Sequence, residues 1–378
     1  MKIFIKNFLA FLFLAVTITA CDKKDDLNTF TNGSAVTLSA SATTLTPAPA
    51  DSNNVAVSFS WTTPKYSQDP ALYKYVIQID SSGRNFSKAV SKTITAALTI
   101  SYTAKDINLI ALGYGFNSNT AYDMDVRVIS SYGNNNEQYM SNTIKFKYSP
   151  YKIPPKVALP TSNKLFLVGD ASQGGWNNPV PVPTQEFAQI DETTYAGVFN
   201  LNGGKQYLIL PVNGDWSHKF SVNSLSIPAA GGDFGYDLST NFNSPVTSGY
   251  YIITMDFQTG KFAVTPFTGN LPTNLFIVGD ATNGGWNNPV PVPTQQLVQV
   301  NSSVFKATAL TMIGGKQYLL LPVNGDWSNK YAVADNSLPG LSAGGKFGYN
   351  FAQNFPGPAV SGNYTLTVNF VTGKFIVQ

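Results

Sequence analysis

Four of the five tryptophans in this chain fall in two pairs with the same surroundings. Trp176 sits in Gly174-Gly175-Trp176-Asn177-Asn178-Pro179 and Trp216 in Asn213-Gly214-Asp215-Trp216-Ser217, and matching segments carry Trp286 and Trp327. Gly, Asn, Asp and Pro make turns, so these rings belong on loops rather than in apolar strands. The chemistry open to such a ring is stacking. The axial C–H groups of a pyranose form an apolar face that an aromatic ring covers, while amides, carboxylates or ammonium groups at the rim take the hydroxyls. Two rings about 40 residues apart can flank a curved oligosaccharide. The same rings have a second use, as half-buried caps on the end of a β-sandwich, and the sequence leaves both open. Trp61 differs: it ends the alternating run Val55-Ala56-Val57-Ser58-Phe59-Ser60-Trp61 and reads as core.

Catalysis is a poor fit to the same segments. A glycosidase uses two carboxylates roughly 5–9.5 Å apart. Between aligned positions Glu186 becomes Gln296, Asp191 becomes Asn301, Asp233 becomes Lys346 and Asp256 becomes Asn369. The shared acids, Asp170 with Asp280 and Asp215 with Asp326, lie in Gly-Asp turns where aspartate bonds its own backbone. The one histidine, His218, is replaced by Asn329, which leaves no His-based triad and no His/Cys metal site. Gly231-Gly232 and Gly344-Gly345 are not followed by helices and read as turns rather than phosphate cradles. Neither a cofactor nor a metal is expected.

The tryptophans repeat because whole domains repeat. Residues 165–185 recur as 275–295 with three differences in 21 positions, and residues 203–219 recur as 314–330 with two in 17. The interval grows from 110 to 113 residues by Phe257-Gln258-Thr259-Gly260-Lys261-Phe262, as small loop insertions in two complete domains would cause. Each copy reads as β. Tyr364, Leu366, Val368 and Phe370 alternate with polar residues, and Thr372-Gly373 turns the chain into Lys374-Phe375-Ile376-Val377. Gln206-Tyr207-Leu208-Ile209-Leu210 reads as a buried strand. A short connection, Pro266 to Thr273, limits motion between the copies.

Upstream, residues 35–150 carry alternating strands at 55–61, 75–80 and 123–129, with turn signals between them. Tyr122, before an Asp-Val-Arg-Val strand, matches the tyrosine corner of immunoglobulin-type sandwiches. Sustained helical periodicity is found only near the N-terminus. Residues 151–160 form a Pro-rich linker, extended at about 3.1 Å per residue and reaching roughly 35 Å with its flanks, which would hold the two repeated domains away from the first. The fold class expected is all-β: an Ig/fibronectin-like sandwich at 35–150, then two carbohydrate-binding-type modules at 161–268 and 269–378.

The first twenty residues read as an export signal, with Lys2 and Lys6 ahead of an apolar core and Thr19-Ala20 at the cleavage site. Ile18-Thr19-Ala20-Cys21 resembles a bacterial lipobox, which makes the lone Cys21 the lipidated N-terminus of the mature chain and the membrane anchor. Residues 21–34 form a tether beginning Asp22-Lys23-Lys24-Asp25-Asp26, resembling a surface-export cluster and spanning roughly 20 Å. Removing residues 1–20 leaves 22 basic and 21 acidic side chains, so no electrostatic footprint for nucleic acid remains.

Lipobox, Lys-Asp-Asp tether, Ig-like domain, Pro-rich linker and tandem VGDA..GGWNNP…GGKQY..LPVNGDW modules together resemble the SusE/SusF family, surface lipoproteins of starch-uptake systems. The resemblance implies a non-catalytic, cell-surface outer-membrane lipoprotein of a Gram-negative bacterium that binds starch or a related α-glucan. It also implies as partners a SusC/SusD-type transporter complex and a surface glycoside hydrolase. Carried over, Trp176 and Trp216 are the rings of one site, and Trp286 and Trp327 those of the other. Lys205 and Lys316 are the matching polar partners, where arginine is familiar, with Asn213, Lys219, Asn324 and Lys330 as weaker candidates. The alternative from another class is a scaffold or adhesin that binds a protein partner through the same loops.

Overall fold

The computed structural model describes residues 32–378 except Gln68. The export signal, Cys21 and residues 22–31 of the tether lie outside the described residues. The chain forms two compact units, divided between Ile153 and Pro154.

In the first unit β1 (Leu38–Ala40), β2 (Thr44–Leu45), β3 (Val55–Trp61), β4 (Lys74–Ser81), β5 (Val90–Thr95), β6 (Thr99–Thr103), α1 (Ala104–Gly113), β7 (Tyr122–Ser131), β8 (Tyr139–Met140) and β9 (Ile144–Tyr148) come in that order. They build a three-stranded sheet, β1-β3-β6, and a six-stranded sheet, β2-β9-β7-β4-β5 with β8 on β7. The period-two pattern does what it should: Met124, Val126 and Val128 of β7 are fully buried while Asp125 and Arg127 turn outward. Trp61 is buried against Tyr75, ring centroids 5.4 Å apart, as core. The Tyr122 hydroxyl accepts from the N–H of Asn117, five residues upstream, and its ring stacks on Phe116, which is the corner geometry expected.

Two readings are corrected here. The sequence pattern assigned no helix, yet α1 forms, because Thr103 and Asp106 make a reciprocal capping box at its start. Its buried residues, Ala104, Ile107, Asn108 and Ala111, form one stripe at helical spacing. The Pro-rich segment is also not a free spacer. Tyr151 is buried in the first unit, where Asn108 accepts its N–H and donates to its carbonyl. Lys156 and Val157 bond Gln258 and Phe257 of the second unit, and Val157 joins that unit's core. Gln258 Nε2 also donates to the Pro154 carbonyl at 3.3 Å.

The second unit contains both copies of the repeat. The first has β10 (Phe166–Val168), β11 (Ala188–Gln189), β12 (Thr194–Leu201), β13 (Gln206–Leu210), β14 (Phe220–Ser221), β15 (Gly231–Asp233), β16 (Gly235–Tyr236), β17 (Phe242–Asn243), β18 (Gly249–Asp256) and β19 (Lys261–Pro266). One sheet runs β10-β13-β14-β16 with β17 on β13, and the other runs β11-β12-β18-β19-β15. The second copy has β20 (Leu275–Val278), β21 (Gln296–Gln299), β22 (Val304–Met312), β23 (Gln317–Leu321), β24 (Tyr331–Ala332), β25 (Gly344–Lys346), β26 (Gly348–Tyr349), β27 (Phe355–Pro356), β28 (Gly362–Asn369) and β29 (Lys374–Val377). Its pairings repeat the first copy's. The difference is that β21 also pairs β20, which joins both sheets into one of ten strands.

Gly231-Gly232 and Gly344-Gly345 are not turns. They are edge strands on β19 and β29, where Gly231 has φ 152° and a Cβ would come within 2.7 Å of the Phe262 carbonyl. β13 is apolar from Tyr207 to Leu210 because both of its faces are covered there. Tyr207 and Ile209 enter the sandwich core, while Leu208 and Leu210 join Phe166, Val168 and Val180 in a second small cluster. Val180 belongs to the long loop that carries Trp176.

Candidate tryptophan sites

Each site stands where that loop meets the end of β13. Leaving β10, the chain makes a closed turn in which Gly169 bridges Gly175. Gln185 locks the turn: its Oε1 accepts the N–H of Gly174 at 2.8 Å and its Nε2 donates to Ser172 Oγ at 3.1 Å. Val180 then anchors the far side of the loop in its apolar cluster. Beyond β13 the chain runs into Asn213-Gly214-Asp215-Trp216. Asn213 Oδ1 accepts the Val180 N–H at 2.7 Å, its Nδ2 donates to the Val180 carbonyl at 3.1 Å, and Asn178 Oδ1 accepts the Gly214 N–H at 2.7 Å. Two loops from distant sequence become one ledge. On it the rings of Trp176 and Trp216 lie 6.5 Å apart at 38°, and they are 37% and 49% exposed.

The second copy repeats the three bonds that join the two loops. Asn324 accepts from and donates to Val290 at 2.7 and 3.1 Å, and Asn288 accepts from Gly325 at 2.7 Å. Trp286 and Trp327 are 40% and 49% exposed. In both copies the indoles are between a third and a half exposed, enough to offer a ring face to a ligand while the rest packs on the loops.

The polar candidates fare differently. Asn213 and Asn324 spend their carboxamides on holding the loops together, so they position the rings. Lys205 and Lys316 are exposed but precede β13 and β23, the far ends of those strands from Trp216 and Trp327. A five-residue strand puts about 17 Å between such ends. Lys219 and Lys330 are half-buried three residues past the second tryptophan, with their N–H groups bonded to Asp237 and Asn350.

Sequence reasoning passed over Tyr236 and Asp237, which contact His218, two residues past Trp216. β16 pairs β14, which sets Tyr236 opposite Phe220 and leaves it 44% exposed. The His218 ring stacks on Tyr236 at 5.1 Å, and His218 Nδ1 lies 2.7 Å from Asp237 Oδ2. That contact, with the Lys219 N–H, holds the Asp237 carboxyl below the usual carboxylate range. Desolvation and the nearby Asp237 and Asp215 push the Tyr236 phenol up. In the second copy the same places hold Tyr349, Asn350 and Asn329, and Asn350 Nδ2 donates to Asn329 Oδ1 at 3.1 Å. An amide pair thus replaces the histidine–carboxylate pair. The signal was available: Phe-Gly-Tyr followed by Asp or Asn recurs at 234–237 and 347–350.

Asp215 and Asp326 each accept the N–H two residues on, from Ser217 and Ser328, at 2.8 Å. Those serines hold both carboxyls below their ordinary range. A general acid needs the opposite shift.

Residues 23–129 match the family model described as SusE outer membrane protein. That stretch lies in the first unit and ahead of it, and the resemblance read from the sequence is met there. A solved structure of SusF from Bacteroides thetaiotaomicron is similar over 91% of this chain and 76% of its own, at 16% identity and a TM-score of 0.35. No curated protein matches the chain closely enough to count as a relative.

Proposed function

We propose that this protein is a non-catalytic surface lipoprotein that holds starch or a related α-glucan through two tandem modules, 161–268 and 269–378. The observation that carries this reading is a pair of partly exposed tryptophans in each copy, on loops locked by the same three hydrogen bonds. A rigid ring loses little entropy on covering a sugar face, and two rings 6.5 Å apart and tilted by 38° fit adjacent residues of a bent chain. The α-glucan assignment, the outer-membrane location through Cys21, and service to a transporter and a hydrolase rest on the resemblance to the SusE family. Two weak sites on one chain raise avidity by about 10²–10⁴ when one polymer reaches both. Electrophoresis of the mature protein through gels cast with amylose, pullulan, inulin, xylan or dextran tests it. Retardation by the α-glucans, lost stepwise in Trp216→Ala and Trp327→Ala, is the expected result. Retardation by no glycan would favour the protein-binding scaffold, and release of sugar would make it an enzyme.

A further inference from the structure

The outer face of β12 is not solvated. Ala196 and Val198, and Ala188 of the neighbouring β11, are 1%, 2% and 3% exposed, and the second copy's Ser302 N–H donates to the Glu186 carbonyl at 2.9 Å. Beside this contact a cleft of about 220 Å³ opens between the copies. The cleft has room for one sugar ring. No charged side chain lines it.

Its walls are suited to a neutral polyol. Tyr250, 46% exposed, stands directly across from Asn200 on neighbouring strands, so phenol and carboxamide share one face. Gln173 adds an amide from the first copy, and Gln299 and Thr273 add polar groups from the second. Ser302 also lines the cleft. It is 2% exposed, and its Oγ, packed toward Gly197, has no hydrogen-bond partner. The second copy lacks this arrangement: Asn363 replaces Tyr250 and is tied to Thr311 Oγ1 at 2.9 Å.

We propose that this junction is a third carbohydrate subsite, which takes one uncharged hexopyranose unit at a chain end or branch. Tyr250 covers the ring face, and Asn200, Gln173 and Gln299 take hydroxyls. The proposal extends the glycan reading but uses none of the tryptophans.

The test is saturation-transfer NMR with methyl α-glucopyranoside on full-length mature protein carrying Trp216→Ala and Trp327→Ala. Saturable transfer at millimolar sugar is expected to persist in that variant. Adding Tyr250→Ala is expected to weaken it at least tenfold, and Tyr250→Phe, which keeps the ring, to restore it within about threefold; circular dichroism checks folding. No transfer in the tryptophan variant, or transfer indifferent to Tyr250→Ala, overturns the subsite. If the wild type is retarded by no polysaccharide but this Tyr250-dependent signal persists, the two-site reading fails and the cleft stands.

Discussion

The sharpest consequences concern residues that touch no ligand. Asn213 holds both backbone groups of Val180, so Asn213→Ala leaves a buried donor and acceptor unmet and should cost about 1–3 kcal/mol. Glycan retardation by the first site should fall with it, as if Trp216 had been removed. Comparing thermal melts and affinity gels of the two variants checks this. Trp216→Ala, by contrast, removes a ring already half in solvent and should weaken binding roughly 30-fold, about 2 kcal/mol, with little change in melting. Beside it, Asp237 is a carboxylate held low by His218. Its contribution to stability is present above the ordinary value near 3.9 and is lost as pH falls through the lowered one. Asp237→Asn, which copies Asn350, should therefore shrink the drop in melting temperature of the second unit between pH 6 and pH 3. The tryptophans were legible because a repeat preserved them among turn residues. The His218–Tyr236–Asp237 cluster was not read, because its members come from two strands whose pairing only the fold creates.

At the level of elements, the legible parts were those with a simple period. β7 and β28 alternate along one buried face, and β13 announces two covered faces by being apolar from Tyr207 to Leu210. The helix α1 escaped because it is ten residues long and buries an asparagine in its stripe, so its apolar period is broken where Asn108 bonds Tyr148 and Tyr151. Its start was written in Thr103 and Asp106, three residues apart. Thr103→Ala should cost about 1 kcal/mol, read as a lower denaturation midpoint of residues 32–153. Asp106, kept below its ordinary range mainly by the Thr103 N–H, makes that cost smaller once pH falls through its lowered value. The glycine pairs show the opposite error. Their composition says turn, but the bare Cα lets an edge strand approach a neighbouring carbonyl, which no local pattern reveals.

Across the second unit, the two copies meet through a face that is buried in the first and open in the second. Ala196 is 1% exposed, while its counterpart is Lys306, and buried Ala188 corresponds to Val298, 66% exposed. Gly197→Val would place a Cβ within 2.6 Å of Ser302 Oγ and 2.5 Å of the Phe199 ring. It should loosen the junction by about 1–3 kcal/mol, seen as earlier proteolysis between residues 266 and 273. The duplication therefore has a polarity. A chain rebuilt with the second copy ahead of the first would press a lysine into the contact and turn alanine and valine out to water, so the order of the two modules is written into a handful of side chains on one sheet.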